Sequence, residues 1–365
     1  NVAVQVGDTV NHHTITSIEN IIGTAQNDTI TGSDGVNTFV GLDGSDSIYG
    51  IAGNNLIYGG TQERNSTSTD ANLLVGGTGD DTIYGAAGAD DLRGGLGNDT
   101  IYGGAGNDTI RGGIGEDTLY GEAGDDTFVF EAADNMTNFV YGGDEAHDDG
   151  ALDMVDYRLA IKGMTIDLSG KEGIQDSDET IYDENKIDTY ADNGFAYSAD
   201  QGFNLLYGIE QVRGSDLEGD TIRGSSANNS IWGHGGDDII YGVAGDNYLD
   251  GGANNDTIFA GLGADVMVGG SGDDIFKTYY DKDETDATDK FGKANSIYGG
   301  TVTLDENGNI TASSANGSDT VDYSAIDDSD YSIFADLADE DGSRKVDIRD
   351  NNLESIKTDS VYHIN

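Results

Sequence analysis

The sequence predicts an all-β chain that winds into a coil of short strands, and three observations carry this prediction. A nine-residue unit recurs, with glycine at its first and fourth positions, aspartate at its sixth and a large apolar residue at its eighth. Hydrophobic residues make up 36% of the chain, with 19 Tyr and 10 Phe, which argues against a disordered acidic tail. The formal net charge is −52, so we expect folding to require cations.

The repeat is clearest over residues 76–129. Six consecutive units there read GGTGDDTIY, GAAGADDLR, GGLGNDTIY, GGAGNDTIR, GGIGEDTLY and GEAGDDTFV. A weaker run precedes them at 23–58, and a second block follows from about 214 to 277. Self-similarity at a fixed period indicates stacked repeats.

Positions 7 to 9 of each unit alternate in the way a three-residue strand does, with only position 8 apolar. Each unit reverses the chain once, so two units complete a coil of 18 residues. We expect position 8 to point inward. In the clearest run these residues are Ile83, Leu92, Ile101, Ile110, Leu119 and Phe128.

The glycine-rich turns contain the candidate metal ligands. Glycine permits positive φ, so the backbone can curl tightly and direct its carbonyl groups inward. The aspartate at position 6 adds a carboxylate to those carbonyls. Oxygen ligands on a flexible loop suit a hard cation, and calcium fits best.

The pattern GGxGxDxUx resembles the RTX (repeats-in-toxin) calcium-binding repeat, over roughly half of the chain. The resemblance implies a right-handed parallel β-roll, a β-solenoid that holds several Ca²⁺ ions between stacked turns. Aspartates of alternate units would stack on opposite edges. The expected metal ligands are Asp28, Asp46, Asp81, Asp90, Asp99, Asp108, Asp117, Asp126, Asp220, Asp238, Asp256, Asp265 and Asp274.

Asparagine replaces aspartate at position 6 of several units: Asn37, Asn55, Asn72, Asn229, Asn247 and Asn295. An amide supplies one neutral oxygen, so we expect those sites to be weaker or empty. In the second block the asparagines fall mostly on one edge, which predicts one well-occupied calcium edge and one poorer edge.

The chain divides into two repeat blocks separated by an irregular β segment. We predict the end of a linker segment at 1–22, the first block at 23–130 with a loop insertion at 61–71, and an intervening segment at 131–213. The second block follows at 214–300 with a loop insertion at 278–294, and a second segment of the intervening type at 301–365.

The intervening segments resemble the "DxVDYS … IEN" stretches between the blocks of RTX-bearing proteins. Alternating Met164, Ile166 and Leu168 predict strands that continue the roll without calcium turns, and a separate globular domain is the alternative. Glu19, Glu210 and Glu354 occupy equivalent places. Asn1 precedes no signal segment, so we expect an excised fragment or a processed product.

The composition also argues against nucleic-acid binding, membrane spans and enzyme activity. A surface this acidic repels phosphate, so we expect no nucleic-acid partner, and no apolar run is long enough for a membrane span. The chain has 0 Cys, and its 5 His form no HExxH motif. The paired carboxylates sit at repeat positions, so we expect no enzyme activity within this chain.

Position 9 faces outward. Tyr84, Tyr102 and Tyr120 recur on one face, and Arg93 and Arg111 line the other. An exposed aromatic ladder can bind sugars or pack against another roll. Cross-strand pairing that favours strands is the simpler interpretation, and an ice-binding face is a further alternative.

We therefore expect a calcium-dependent structural β-roll that folds on binding extracellular calcium. Its parent would be a secreted or cell-surface bacterial protein, an adhesin or surface-layer (S-layer) spacer, exported by type I secretion. The alternatives are an RTX appendage of a secreted epimerase, lipase or protease with its catalytic domain elsewhere, or a carbohydrate-binding roll. Calcium is the expected partner, with surface polysaccharide or neighbouring copies of the chain as further candidates.

Overall fold

The structure is a computed structural model. It describes residues 2–6, 13–15, 18–64, 66–131, 136–143, 151–169, 194–278, 295–299, 302–304, 310–313, 320–322, 331–336, 343–350 and 355–362. These residues form strands and turns with no α-helix, mostly in parallel ladders, which confirms the predicted parallel β-roll. Two compact units are present, Asn1–Ala160 with Phe195–Gln211, and Ile161–Gly194 with Val212–Asn365.

The described residues of the first unit form eighteen strands. They are β1 (Val2–Val6), β2 (His13–Ile15), β3 (Asn20–Ile22), β4 (Asp28–Thr31), β5 (Thr38–Val40), β6 (Ser47–Tyr49), β7 (Leu56–Tyr58), β8 (Leu73–Thr78), β9 (Thr82–Ala86), β10 (Asp91–Leu96), β11 (Thr100–Ala105), β12 (Thr109–Ile114), β13 (Thr118–Ala123), β14 (Thr127–Val129), β15 (Thr137–Tyr141), β16 (Met154–Asp156), β18 (Gly194–Ser198) and β19 (Gly202–Tyr207).

The second unit contains the remaining strands. They are β17 (Thr165–Asp167), β20 (Gln211–Arg213), β21 (Thr221–Arg223), β22 (Ser230–Gly235), β23 (Ile239–Tyr241), β24 (Tyr248–Ala253), β25 (Thr257–Phe259), β26 (Val266–Ser271), β27 (Ile275–Lys277), β28 (Ser296–Tyr298), β29 (Val302–Leu304), β30 (Ile310–Ser313), β31 (Thr320–Asp322), β32 (Tyr331–Asp336), β33 (Ser343–Asp350) and β34 (Ser355–Tyr362). Strands β18 and β20 each begin one residue before a unit boundary.

Alternate strands of the first unit pair with each other, which is the signature of a coil. One parallel sheet runs through β4, β6, β8, β10, β12, β14 and β16. The other runs through β3, β5, β7, β9, β11, β13, β15 and β19. Ile101 pairs with Ile83 on one side and with Leu119 on the other, so the coil repeats every 18 residues in this part.

The second unit repeats this plan. Its sheets run in parallel through β22, β24, β26, β28 and β34, and through β17, β21, β23, β25, β27 and β31. Antiparallel pairing then adds β33 to β34 and β32 to β33, and β29 pairs with β30 as a separate hairpin.

The apolar core is one residue wide in each half-coil. Ile83, Leu92, Ile101 and Ile110 have no exposed surface, and Leu119 retains 1%. The corresponding residues of the second unit, among them Ile240 and Ile258, are also fully buried. The prediction that position 8 points inward is therefore confirmed.

Several strands, such as β6 and β7, have the predicted three residues, and others are longer. Strands β10 to β13 span six residues, because the ladder continues into the next turn and pairs Gly95 with Gly113. Gly95 and Gly97, at positions 2 and 4, have φ of +121° and +125°, as the turn requires. Gly94, at position 1, is needed for space, since a Cβ there would strike the Asp99 carboxylate.

The predicted loop at 61–71 lies between β7 and β8. The coil that contains it pairs residues 26 apart instead of 18, so the chain leaves the roll and returns in register. Of the second predicted loop, residues 279–294 lie outside the described residues. No helix among the described residues is long and apolar enough to cross a membrane.

Strands β15, β16 and β19, from the intervening segment 131–213, extend the parallel ladders of the first unit. In the second unit, β17 of the same segment pairs in parallel with β21. Met164 and Ile166 are buried there, and Leu168 lies half-buried just after β17. The exact domain boundaries stay a prediction.

A core truncation tests the thin core. Replacing Ile101 with alanine should lower the free energy of unfolding of the calcium-loaded protein by about 2–5 kcal/mol, because the cavity cannot be filled from a core one residue wide. Urea unfolding followed by circular dichroism measures this. The control is Ile114→Ala at a 43% exposed position, which should change stability by no more than about 0.5 kcal/mol. Equal effects of the two substitutions would contradict the assignment of the core.

Candidate metal centre

The aspartates at position 6 form two buried ladders in the first unit. The backbone N–H of Asp81 donates to Oδ1 of Asp99 (2.8 Å), and that of Asp99 donates to Oδ1 of Asp117 (2.9 Å). On the other edge, Asp90 donates in the same way to Asp108 and Asp108 to Asp126, both at 2.7 Å. Each carboxylate thus bonds to the coil before it in the chain.

The second unit has the same arrangement. Asp220, Asp238, Asp256 and Asp274 are linked by bonds of 2.7–2.9 Å along one edge. The other edge links Asn229, Asn247, Asp265 and Asn295. The structure therefore brings together the residues that the repeat pattern placed on each edge.

The second carboxylate oxygen of these aspartates is buried, and in many of them it accepts no hydrogen bond. This describes Oδ1 of Asp28 and Oδ2 of Asp46, Asp81, Asp90, Asp99, Asp108, Asp238 and Asp256. Each of these side chains is at most 3% exposed. A buried oxygen without a donor costs about 1–3 kcal/mol, and more when it is charged.

Backbone carbonyl groups surround these oxygens. A Cβ built on Gly103 would lie 2.6 Å from the carbonyl oxygen of Gly121 in the next coil and against Oδ2 of Asp108. The same convergence recurs at Gly76, beside Asp81 and the carbonyl of Gly94. Ionised acceptors that face other acceptors are stabilised by a cation, and a set made only of oxygens fits calcium.

No group of three or more His, Cys, Asp or Glu side chains within metal-binding distance occurs in the described part of the chain. This fits a centre in which each turn supplies one carboxylate and the backbone supplies the other oxygens. The centre is therefore spread along the edges of the coil.

Burial raises the pKa of these carboxyl groups. The pKa of Asp99 rises to about 8, although the N–H of Asp81 partly opposes the rise. Burial likewise raises the pKa of Asp90 to about 8 and that of Asp256 to about 9, and neighbouring aspartates add to the effect. Without a cation, these groups would take up protons at neutral pH.

Some turns differ because serine or threonine follows the first glycine. The N–H of that residue donates to the side chain at position 6, in the pairs Thr24 to Asp28 (2.5 Å), Ser33 to Asn37 (3.0 Å), Ser215 to Asp220 (2.7 Å) and Ser225 to Asn229 (2.8 Å). Met164 N–H bonds to the other oxygen of Asp220. Both oxygens of Asp265 also accept hydrogen bonds, one of them from Gly261 N–H.

The ladders include residues that the nonapeptide pattern missed. In the first unit, Asp126 N–H donates to Asp153 and Asp153 N–H donates to Glu210. The other edge continues from Asp117 to Asn138. The second unit adds Asp359. The signal that could have found them is an acid or amide two residues before a buried apolar residue, as in Asp153-Met154-Val155.

The tyrosines that the sequence predicts to face outward form a stack in the first unit, although Tyr120 is only 7% exposed and so is buried. Tyr58, Tyr84, Tyr102, Tyr120, Tyr141 and Tyr207 follow one another with ring centroids 4.4–5.0 Å apart. Arg64, from the loop at 61–71, places its guanidinium 4.0 Å from the Tyr102 ring and pairs with Glu122. Because the faces of consecutive rings cover each other, this stack presents ring edges outward.

The arginines on the opposite face are paired with acids. Arg93 contacts Asp91 at 2.6 Å, and Arg111 contacts Asp91 at 2.8 Å and Glu131 at 2.9 Å. These partly exposed pairs are worth little stability individually. They limit the repulsion between outward acidic residues on this face.

Comparison with known families gives one match. The model of the RTX calcium-binding nonapeptide repeat (4 copies) matches residues 16–47, 31–63, 66–101, 93–128, 102–136, 216–249 and 241–276. Together these ranges cover about half of the chain, and they contain all thirteen predicted aspartates. No curated protein matches the chain.

The raised pKa values predict how the metal-free protein responds to pH. Asp99 and Asp256 have folded-state pKa values of about 8 and about 9, against an ordinary pKa of 3.8 for an aspartate. The folded form therefore binds more protons than the unfolded form, and its stability should fall as pH rises from about 4 to about 9. In calcium-stripped buffer, the β signal in circular dichroism should be larger at pH 5.5 than at pH 8.

Saturating calcium is the control for this experiment. The carboxylates are then ionised in both states, so the β signal should be equal at the two pH values. A metal-free β signal that is as large at pH 8 as at pH 5.5 would contradict the assigned burial of these carboxylates.

Proposed function

This chain belongs to the RTX calcium-binding nonapeptide repeat family, and on that basis we propose that its position-6 aspartates and the facing carbonyl groups hold several calcium ions. The observation that carries the proposal is the row of buried carboxylate oxygens that accept no hydrogen bond. Bound calcium supplies the positive charge that lets these carboxylates stay ionised in the interior.

The proposed ligands are the aspartates that follow a turn without serine or threonine at position 2 and whose second oxygen faces the turn. They are Asp46, Asp81, Asp90, Asp99, Asp108, Asp117, Asp126, Asp238, Asp256 and Asp274. Asp220 and Asp265 are left out, because backbone N–H groups already bond to both of their oxygens. Asp28 is also left out, because its Oδ2, which faces the turn, accepts the Thr24 N–H.

The proposed role is structural. The buried carboxylates take part in the ladders. The calcium-loaded chain would therefore serve as a rigid spacer in a secreted or cell-surface protein. The net charge of −52 would keep the metal-free chain expanded, and calcium outside a cell would fold it. Extracellular sites of this type bind at about 10⁻⁴–10⁻³ M, which is far above the calcium level of a cytosol.

An adhesin or surface-layer spacer is the role we favour over an appendage of a secreted enzyme. Successive coils in both units repeat one geometry, which supports a building element. Sugar binding by the tyrosine face has less support, because the ring faces stack on each other and on Arg64. Type I secretion is proposed as the export route from the family membership.

A calcium titration tests the proposal. The metal-free chain should gain β signal cooperatively near millimolar calcium, and Asp99→Ala should raise the calcium midpoint several-fold, because it removes a buried carboxylate from the ladder. Circular dichroism with light scattering measures the transition and any assembly of copies.

The matched control is Asp43→Ala, at an exposed acid in the turn of an earlier coil, which should leave the midpoint unchanged. The proposal would be wrong if the wild-type protein kept its full β signal in excess chelator at pH 8 or above. It would also be wrong if both substitutions shifted the midpoint equally.

A further inference from the structure

Among the described turns, three combine asparagine at position 6 with a residue other than serine or threonine at position 2: those of Asn55, Asn72 and Asn247. Building on the proposed calcium function, we infer that the side-chain amide takes the place of the calcium ion in these turns. They close without metal, and the choice between Asp and Asn at position 6 determines which turns bind calcium. These turns are thus complete, where the sequence alone suggested weak or empty calcium sites.

The ladder itself sets the orientation of each amide. Asn37 N–H donates to Oδ1 of Asn55 at 3.0 Å, and Asn229 N–H donates to Oδ1 of Asn247 at 2.8 Å. The oxygen is therefore committed to the preceding coil, as in the aspartate turns. The Nδ2 group must then face the carbonyl groups of the turn, because the two ends of an amide cannot both be oxygen.

The Nδ2 groups meet those carbonyls. In the second unit, Asn247 Nδ2 lies 3.0, 2.9 and 3.2 Å from the carbonyl oxygens of Gly242, Ala244 and Gly245, and 2.9 Å from Oδ1 of Asp265. Its two hydrogens are shared among these four acceptors. One nitrogen thus gathers four oxygens, as a bound cation does.

The first unit shows the same contact. Asn55 Nδ2 donates to the carbonyl of Gly53 at 2.7 Å and reaches those of Gly76 and Ala52 at 3.3 and 3.4 Å. Asn72 Nδ2 donates to the carbonyl of Asp70 at 3.1 Å. In this turn the carbonyl comes from the end of the loop at 61–71.

Oxygen and nitrogen occupy the same place in the two kinds of turn. A Cβ built on Gly50 would lie 2.6 Å from Nδ2 of Asn55, and one built on Gly85 would lie 2.6 Å from Oδ2 of Asp90. The side-chain atom therefore lies in the same position in both kinds of turn, but its hydrogen-bonding role is opposite. Asp90 presents a negative acceptor to carbonyl acceptors, whereas Asn55 presents a neutral donor to them.

The distribution of the amides gives each unit some metal-independent turns. In the first unit they belong to the coils before Asp81, and in the second unit they lie on the edge opposite Asp238 and Asp256. These turns can form before calcium binds. Their hydrogen bonds fix the strand register along one edge, and the calcium-dependent turns can stack on that edge.

Exchange of the two side chains tests the inference. Asn55→Asp and Asn247→Asp should each raise the calcium stoichiometry by one and shift the calcium midpoint of folding upward, because an acceptor replaces a donor at a buried position. Equilibrium dialysis with atomic absorption measures the bound calcium, and the near-ultraviolet circular dichroism of the tyrosines measures folding. The reverse variant, Asp81→Asn, should bind one fewer calcium ion and still reach the native tyrosine signal.

Asn107→Asp is the matched control, with the same chemical change at an exposed position of a turn, and should leave the stoichiometry unchanged. Unchanged stoichiometry in both Asn→Asp variants, with the wild-type protein binding calcium, would overturn this inference and leave the proposed function intact. A wild-type protein that binds no calcium would overturn both. If an Asn→Asp variant does not fold, a failure of Asp81→Asn to lose calcium overturns the inference.

Discussion

The structure depends on placing one polar side chain per half-coil in the interior, where it must bridge two coils. In most coils Oδ1 of the position-6 residue accepts the backbone N–H of the preceding coil, and this bond sets the spacing of the ladder. The same side chain brings a second polar atom into a ring of carbonyl oxygens. How that atom is satisfied decides whether the turn needs a cation.

Three solutions to this problem occur in one chain. Aspartate turns such as that of Asp99 leave a buried oxygen for calcium, and asparagine turns such as that of Asn247 supply a donor of their own. Turns with serine or threonine at position 2 use a backbone N–H, as Ser215 does for Asp220. On the proposed calcium function, this mixture divides each unit into turns that bind calcium and turns that close without it.

The apolar core and the tyrosine stack also depend on the geometry of the coil. Position 8 fills a core only one residue wide, so the apolar contribution to stability is small for a chain with 69 acidic residues. The tyrosine stack follows from the coil spacing, because residues at position 9 of successive coils lie one strand apart. Arg64 covers the Tyr102 ring in this stack and pairs with Glu122, which ties the inserted loop to the roll.

The sequence by itself determined the 18-residue coil, the inward residues such as Ile101, and the edges on which the aspartates lie, because each follows from position within a strict repeat. Only the tertiary structure decided which aspartates keep an oxygen for calcium, since that depends on donors such as Ser215 N–H and Gly261 N–H. It also recruited Asp153 and Glu210 to a ladder from outside the nonapeptides. The physical reason is that the ladder needs only a side-chain oxygen two residues before a buried apolar residue. Folding can bring such an oxygen to the ladder from any part of the chain.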